Sequence, residues 1–340
     1  MTNTCQKISK RCGLNFPLFL VLLTLALALT WTGCTPASKK NGKRSKDGVK
    51  TKRVVAVSYA LQYLTQRIVG KTIEVELPAP PEVDPQSWKP TVADIKSLQS
   101  ADLVVVNGDR ASYAKWLQQV ELTDSKLCQS TDDFAVGDFA FIRDYQIIHT
   151  HGPEGEHSHP FSVPYCWLDP SLAKKQADKI AESLTKTYPE LSETIESNLT
   201  ELNADLDQLA NEFRTAEIPF KSAFSANPLT KCFTRAIGHE STSTLVEDHY
   251  LFLFDITNQD DLERSTEKLA ALTVDRRPQT MLVSSTAQNE FAEFMEKNLP
   301  SSTQIIAIDL LDHAPDEGDY LTVMRKNLKA VTTAKTAVAE

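Results

Sequence analysis

Four of the seven histidines of this 340-residue chain lie within eleven residues, in the segment HTHGPEGEHSH. His149 and His151 stand at one end of the segment, and His157 and His159 stand at the other. Neutral imidazole is the most common metal ligand in proteins, and histidine-rich tracts are typical of metal binding. Because two glycines between the pairs allow the backbone to turn, a pair from each end can converge on one ion. The pattern therefore predicts a metal-binding loop over residues 149–159, with zinc as the expected ion.

The affinity expected of this loop is modest. Its spacing, H-x-H-x5-H-x-H, is not the spacing of a structural zinc finger. Fixing the backbone of a flexible loop costs about 1–2 kcal/mol for each residue, and this cost reduces the binding free energy. The alternative interpretation of the same residues is a solvated loop of glycine, proline, histidine and glutamate that binds no ion.

The N-terminal residues predict export from the cytoplasm. Three basic residues precede the uncharged, apolar run Gly13–Gly33, which has the composition of a signal peptide. The run ends in the tripeptide TGC, which is similar to a bacterial lipobox, although Trp31 stands where that pattern prefers leucine. We expect residues 1–34 to be an export signal with Cys34 acylated, and the alternative is a retained membrane-spanning helix. Both alternatives anchor the chain to a membrane and place its body outside the cytoplasm, in the periplasm or at the cell surface.

The remaining composition predicts a tether and an acidic globular body. Residues 35–52 are basic and lack apolar periodicity, so we expect a flexible tether between the anchor and the body. Residues 53–340 are long enough for two lobes, because single hydrophobic cores stop growing at about 250–300 residues. The formal net charge of the whole chain is −9. An acidic body does not suit nucleic acid as a partner, and it does suit a cation.

Strand and helix patterns alternate along the body, which predicts parallel sheets flanked by helices. Leucine and isoleucine residues at spacings of three and four predict one long helix over residues 189–216. The expected fold is α/β, with two lobes of parallel sheet flanked by helices and joined by this one rigid helix. We assign residues 53–188, which include the histidine loop, to the N-terminal lobe and residues 217–340 to the C-terminal lobe.

Several other residues have patterns that predict structural roles. Thr91 and Asp94 have the spacing of a helix N-terminal capping box. Asp169 precedes a helical pattern and is expected to cap its first turn. Trp167 is expected to pack beneath the histidine loop. Three cysteines with wide, unpatterned spacing are expected to be small buried hydrophobic side chains: Cys128, Cys166 and Cys232.

Four segments of the body resemble a known family. They are LPAPPEVDPQSWKPTVADIKSLQSADLVVVNG, CWLDPSLAKKQADKIAESL, FSANPLTKCFTRAIG and IIAIDLLDHAPDEGDYLTVMRKNLKAV. In this order they are similar to the zinc- and manganese-type (cluster A-I) substrate-binding lipoproteins of bacterial ABC transporters, and the similarity extends over most of residues 53–331. A histidine-rich loop is typical of the zinc-specific members. The resemblance implies an extracytoplasmic protein that delivers Zn²⁺, or Mn²⁺ or another divalent ion, to a transporter permease.

The chain departs from this family in the metal site that the resemblance implies. Family members bind the ion between the lobes with three histidines and one carboxylate. The resemblance places the histidine positions at Gln86, Tyr165 and Asn227, and only the carboxylate, Asp309, is retained. Zinc prefers imidazole, thiolate and carboxylate ligands, and a phenol loses its proton only at about pH 10. We therefore predict a degenerate cleft that holds at most a hard ion such as calcium or manganese loosely, and a metal site moved to the loop.

An enzyme is not expected, because the sequence has no G-x-S-x-G nucleophile turn, no glycine-rich phosphate loop and no H-E-x-x-H zinc motif. Two functions other than transport are the alternatives. In the first, the chain is a scaffold without a working metal site that acts as a surface adhesin or a regulatory lipoprotein. In the second, the histidine loop alone buffers zinc. An ATPase and a permease encoded beside the gene would favour transport.

Overall fold

The computed structural model of the chain describes residues 51–86, 88–108, 114–134, 146–150, 156–160, 165–220, 222–225, 231–238, 247–250, 266–267, 280–285 and 289–334. The predicted export signal with Cys34, most of the predicted tether, His151 and Asn227 lie outside these residues. Within the described ranges, the strands form two parallel sheets and one two-stranded ribbon.

The first sheet lies in the N-terminal part of the body. Its strands are β1 (Val54–Ala56), β2 (Val75–Glu76), β3 (Leu103–Val106) and β4 (Leu127–Gln129). They are ordered β2-β1-β3-β4, and every pairing is parallel. β1 and β3 are buried along their whole length, as expected of central strands in a sheet that helices cover on both faces.

The histidine segment forms an antiparallel ribbon where the sequence predicts a loop. β5 (Gln146–Thr150) pairs with β6 (Glu156–Pro160), and the ladder runs from Gln146 opposite Pro160 to Thr150 opposite Glu156. Two strands separated by a short segment that contains glycine are the pattern of a β-hairpin. The paired strands therefore replace most of the expected loop, and residues 151–155 between them lie outside the described residues.

The second parallel sheet lies in the C-terminal part of the body. Its strands are β7 (Ser222–Ser225), β8 (Glu247–Tyr250), β9 (Thr280–Ser284) and β10 (Gln304–Ile308). They are ordered β10-β9-β7-β8, and every pairing is again parallel. The carboxyl end of β10 leads into the turn that carries Asp309, the predicted cleft carboxylate.

Helices accompany both sheets. They are α1 (Tyr59–Val69), α2 (Val92–Gln99), α3 (Pro170–Thr187), α4 (Ser192–Thr215), α5 (Lys231–Ile237), α6 (Asn289–Asn298) and α7 (Tyr320–Thr332). The capping box predicted at Thr91 and Asp94 is confirmed at the start of α2. None of the helices that the structure describes is both long enough and apolar enough to cross a membrane.

One long helix contacts both lobes. α4 has 24 residues and begins after a 3-10 turn at Pro189–Leu191. It packs against α1 and α3 of the first lobe and against α5 and α7 of the second. Its buried side chains are Ile195, Leu202, Leu206, Leu209 and Phe213. The predicted fold class, two α/β lobes joined by one long helix, is confirmed.

The three cysteines expected in the core are buried. Cys128, Cys166 and Cys232 are each at most 1% exposed, and they form no disulfide among the residues that the structure describes. Burial raises the pKa of the Cys128 thiol to about 11, so this thiol stays protonated at neutral pH. Their predicted role as small apolar side chains is confirmed.

Candidate metal centre

The register of the ribbon brings three of the four predicted histidine ligands to neighbouring positions. His149 stands directly opposite His157, and Ile147 stands opposite His159. Directly opposed positions of an antiparallel pair lie about 4.5–5.5 Å apart at their Cβ atoms, and positions two apart in a strand share a face. Positions 149, 157 and 159 therefore lie on one face of the ribbon. The fourth predicted ligand, His151, lies outside the described residues.

Strand pairing lowers the conformational entropy that this segment would lose on binding a metal ion. The ladder already fixes the backbone of β5 and β6, so an ion would remove less conformational freedom than it would from a flexible loop. A lone two-stranded ribbon is only marginally stable in water. An ion bound between the strands would therefore also stabilise the ribbon. The assignment of His149, His151, His157 and His159 as ligands stays a prediction.

In the cleft, two of the positions that the resemblance assigns to histidines are in contact. The Gln86 side-chain amide donates a hydrogen bond to the hydroxyl of Tyr165, and this hydroxyl donates to Oδ2 of Asp312 at 3.0 Å. The Tyr165 side chain is 1% exposed, and its ring meets the ring of Trp167 edge-on at a centroid distance of 5.2 Å. The third position, Asn227, lies outside the described residues.

The protonation of Tyr165 decides whether its oxygen can serve as an anionic ligand. Burial raises the pKa of this phenol well above its ordinary value, and the nearby carboxylate of Asp312 raises it further. The hydroxyl therefore keeps its proton at neutral pH and acts as a hydrogen-bond donor. A protonated phenol is a poor zinc ligand, which supports the prediction that this position does not bind zinc.

Asp309 is fixed by hydrogen bonds at the end of β10. Its carboxylate accepts a hydrogen bond from the Leu311 amide at 2.8 Å, and the Asn327 side chain bonds both its backbone amide and its carbonyl. Asp309 lines a cavity of about 490 Å³ together with Asp312 and His313. Among the residues that the structure describes, no three histidine, cysteine or acidic side chains converge to hold a metal ion. Metal binding by Asp309 stays a prediction.

Asp312 is a cleft residue that the sequence analysis missed. It is 8% exposed and lies in the same turn as Asp309, yet its carboxylate is the one that accepts the bond from Tyr165. A signal for it existed, because the segment DLLD offers two carboxylates three residues apart. The family pattern pointed to the first of them only.

In the segment after Tyr165, the helix cap predicted at Asp169 is confirmed, whereas the packing of Trp167 beneath the histidine loop stays a prediction. Asp169 caps α3, because its carboxylate accepts a hydrogen bond from the Ser171 amide at 2.8 Å. The same carboxylate is buried and pairs with Arg235 of α5 at 2.5 Å, a contact that the sequence did not indicate. The Trp167 indole donates a hydrogen bond to the carbonyl of Leu310 at 2.9 Å. The segment thus joins the start of α3 to two parts of the second lobe.

Comparison with known proteins identifies a family. Residues 54–334 match the family described as zinc-uptake complex component A, periplasmic (ZnuA). The chain is 26% identical over 324 residues to the high-affinity zinc uptake system protein ZnuA of Bacillus subtilis, across 90% of this chain and 94% of that protein. It is 25% identical over 322 residues to the zinc-binding lipoprotein AdcA of Streptococcus pneumoniae. That match covers 92% of this chain and spans only 60% of AdcA.

Solved structures share the fold. The metal-dependent lipoprotein YcdH from Bacillus subtilis superposes with a TM-score of 0.60 at 20% sequence identity. The match covers 84% of this chain and 99% of YcdH. At this level of identity the likeness establishes the two-lobed architecture and not the metal ligands.

Proposed function

We infer the function of this chain from its family, because the chain belongs to the periplasmic zinc-uptake complex component A (ZnuA) proteins. The chain binds zinc outside the cytoplasm and delivers the ion to the permease of an ABC transporter. It is a substrate-binding transport protein and not an enzyme. The observation that carries the zinc assignment is the ribbon register, which sets His149 opposite His157 with His159 on the same face.

The ligand chemistry of the ribbon favours zinc over other divalent ions. Zinc takes four ligands in tetrahedral geometry, of which the protein supplies three or four, with imidazole nitrogens at about 2.0–2.1 Å. A directly opposed pair of histidines supplies two such ligands from different strands, and the third lies two residues along β6. His151 is the proposed fourth ligand. Manganese prefers carboxylate, carbonyl and water oxygens, so it suits this set less well.

Zinc buffering without delivery is the second candidate function. It is favoured by one observation, that the cleft residues which the structure describes do not converge as a three-ligand metal group. In this case the ribbon would hold zinc at the membrane surface, and a separate protein would transfer it. Delivery and buffering differ in whether the chain needs a permease partner.

Metal analysis of the mature protein tests zinc binding. We expect the detergent-solubilised mature protein to retain about one zinc ion per chain after dialysis at neutral pH. Elemental analysis measures the metal content. Delivery is tested by whether this chain restores growth of a zinc-uptake mutant in medium that contains a zinc chelator. Restored growth only when the permease is present supports delivery, whereas zinc retention without growth supports buffering. A protein that retains no metal would refute both functions.

We further propose that acylation of Cys34 anchors the protein to the membrane. Cys34→Ala is expected to move the protein into the soluble fraction or to leave its precursor uncleaved, because the lipid can no longer be attached. Cell fractionation followed by immunoblotting measures both outcomes. Cys5→Ala is the matched control, since this cysteine precedes the apolar run. Equal membrane anchoring of the Cys34→Ala variant and the wild type, with chains of equal length on the blot, would indicate a retained transmembrane helix instead.

A further inference from the structure

Segments of both lobes meet at the phenol of Tyr165. Gln86 lies in the segment after β2, Tyr165 lies shortly before α3, and Asp312 lies in the turn after β10 of the second sheet. The phenol accepts a hydrogen bond from Gln86 and donates one to the Asp312 carboxylate at 3.0 Å. One buried hydroxyl group therefore joins side chains that belong to different lobes.

The turn that carries Asp312 is fixed against the first lobe through its backbone. The carbonyl of Leu310 accepts a hydrogen bond from the Trp167 indole at 2.9 Å. The carbonyls of Leu311 and Asp312 accept bonds from the first two amides of α1, each at 3.2 Å. Leu311 has a φ of 60°, which a leucine rarely adopts, so these contacts maintain a strained turn. As a result, the Asp312 carboxylate is held where the Tyr165 hydroxyl reaches it.

The Tyr165 hydroxyl occupies the place in which an ion would bridge the same side chains. A zinc ion would need donor atoms at about 2.0–2.2 Å, and the hydroxyl with its proton already lies between Gln86 and Asp312. The edge-on contact with Trp167 keeps the ring in this position. An entering ion would have to break the hydrogen bonds of this buried hydroxyl group to Gln86 and Asp312, and loss of hydrogen bonds by a buried group is destabilising.

We propose that Tyr165 determines the specificity of the cleft by excluding zinc from it. Its hydroxyl bridges Gln86 and Asp312 in place of an ion and joins the lobes without metal. This inference goes beyond the proposed function, which assigns zinc to the ribbon. Contact between the lobes at this point does not depend on zinc. Imidazoles at positions 86 and 165 would open the cleft to zinc beside Asp312.

Hydrogen exchange of the metal-free, full-length protein tests the bridge. Tyr165→Phe keeps the ring and removes the hydroxyl, so the amides of Tyr59 and Ala60, which bond the turn of Asp312, are expected to exchange about tenfold faster or more. Tyr188→Phe is the matched control, because Tyr188 also donates to a carboxylate, that of Asp102 at 3.1 Å. Unchanged exchange in Tyr165→Phe, or an equal increase in both variants, would overturn the proposal.

Zinc titration tests whether Tyr165 excludes zinc from the cleft. Gln86→His and Tyr165→His are combined in full-length protein whose four ribbon histidines are alanine. We expect about one zinc ion per chain in this variant and none in the same background with Tyr165 intact. Zinc bound in the cleft beside an intact Tyr165, or a folded double variant that binds none, would overturn the proposal. If the double variant does not fold, the exchange experiment decides. Neither readout depends on zinc binding by the ribbon.

Discussion

Replacement of all four ribbon histidines by alanine is expected to reduce the zinc affinity of the protein by roughly a hundredfold or more. Even changes to residues that hydrogen-bond metal ligands reduce metal affinity about 10–100-fold. This variant removes the proposed ligands themselves: His149, His151, His157 and His159. The opposed pair of the ladder should carry most of the effect, because its members approach an ion from different strands. Calorimetric zinc titration at neutral pH measures the loss.

Two matched variants show whether the loss belongs to the proposed ligands. Ser158→Ala changes the same strand at a position that alternates with His157 and His159, and it should leave zinc affinity unchanged. Asp309→Ala should have a comparatively small effect. If Asp309→Ala reduces affinity as much as loss of the ribbon histidines, the site is a rebuilt cleft to which the ribbon contributes. Wild-type affinity should also fall as pH drops through about 6.5, since protonated imidazole cannot bind metal.

The parts of the fold that follow from local sequence were predictable. The leucine spacing of α4 indicated a long helix because an amphipathic stripe repeats within a few residues. The caps at Thr91 and Asp169 were predictable for the same reason, since each side chain bonds an amide two or three residues away. Alternation of strands and helices sufficed for the two parallel sheets.

The ribbon was not predicted, although its histidines were identified from the sequence as candidate metal ligands. β6 reads EHSHP, which contains no β-branched or aromatic residue, so its intrinsic preference for strand is low. Its partner β5 carries two isoleucines, and pairing with it supplies what β6 lacks. Strand pairing is settled by both partners together. Inspection of residues 149–159 alone therefore gave a loop.

The cleft was predicted in part. The sequence identified Gln86 and Tyr165 as departures from a metal site, but it gave no sign that the two side chains bond each other. Their link to Asp312 depends on the left-handed conformation of Leu311, which brings the second carboxylate of DLLD toward the first lobe. Leucine has no intrinsic preference for that conformation. Contacts from Trp167 and from the start of α1 maintain it, and these contacts are far away in sequence.

Trp167→Ala is expected to lower the free energy of unfolding by about 3–5 kcal/mol, the usual range for loss of a large buried aromatic side chain. Trp167 is fully buried, and its indole donates to the carbonyl of Leu310 in the strained turn of the second lobe. Its own carbonyl accepts a hydrogen bond from Tyr320 of α7 at 2.5 Å. The substitution therefore leaves a cavity and removes a bond between the lobes. Urea denaturation followed by circular dichroism measures the change.

Two further substitutions separate the cavity from the lost hydrogen bond. Trp167→Phe retains most of the ring volume and loses the indole donor. It should lower the free energy of unfolding less than Trp167→Ala does, by about 1–3 kcal/mol, because the carbonyl of Leu310 loses its hydrogen bond. Val92→Ala, at a side chain that is 70% exposed, should stay within about 0.5 kcal/mol of wild type. If Trp167→Ala changes the free energy of unfolding no more than Val92→Ala does, the indole does not join the lobes. In that case the remaining contacts of the turn suffice to maintain the strained conformation of Leu311, among them the two α1 amides and the hydroxyl of Tyr165.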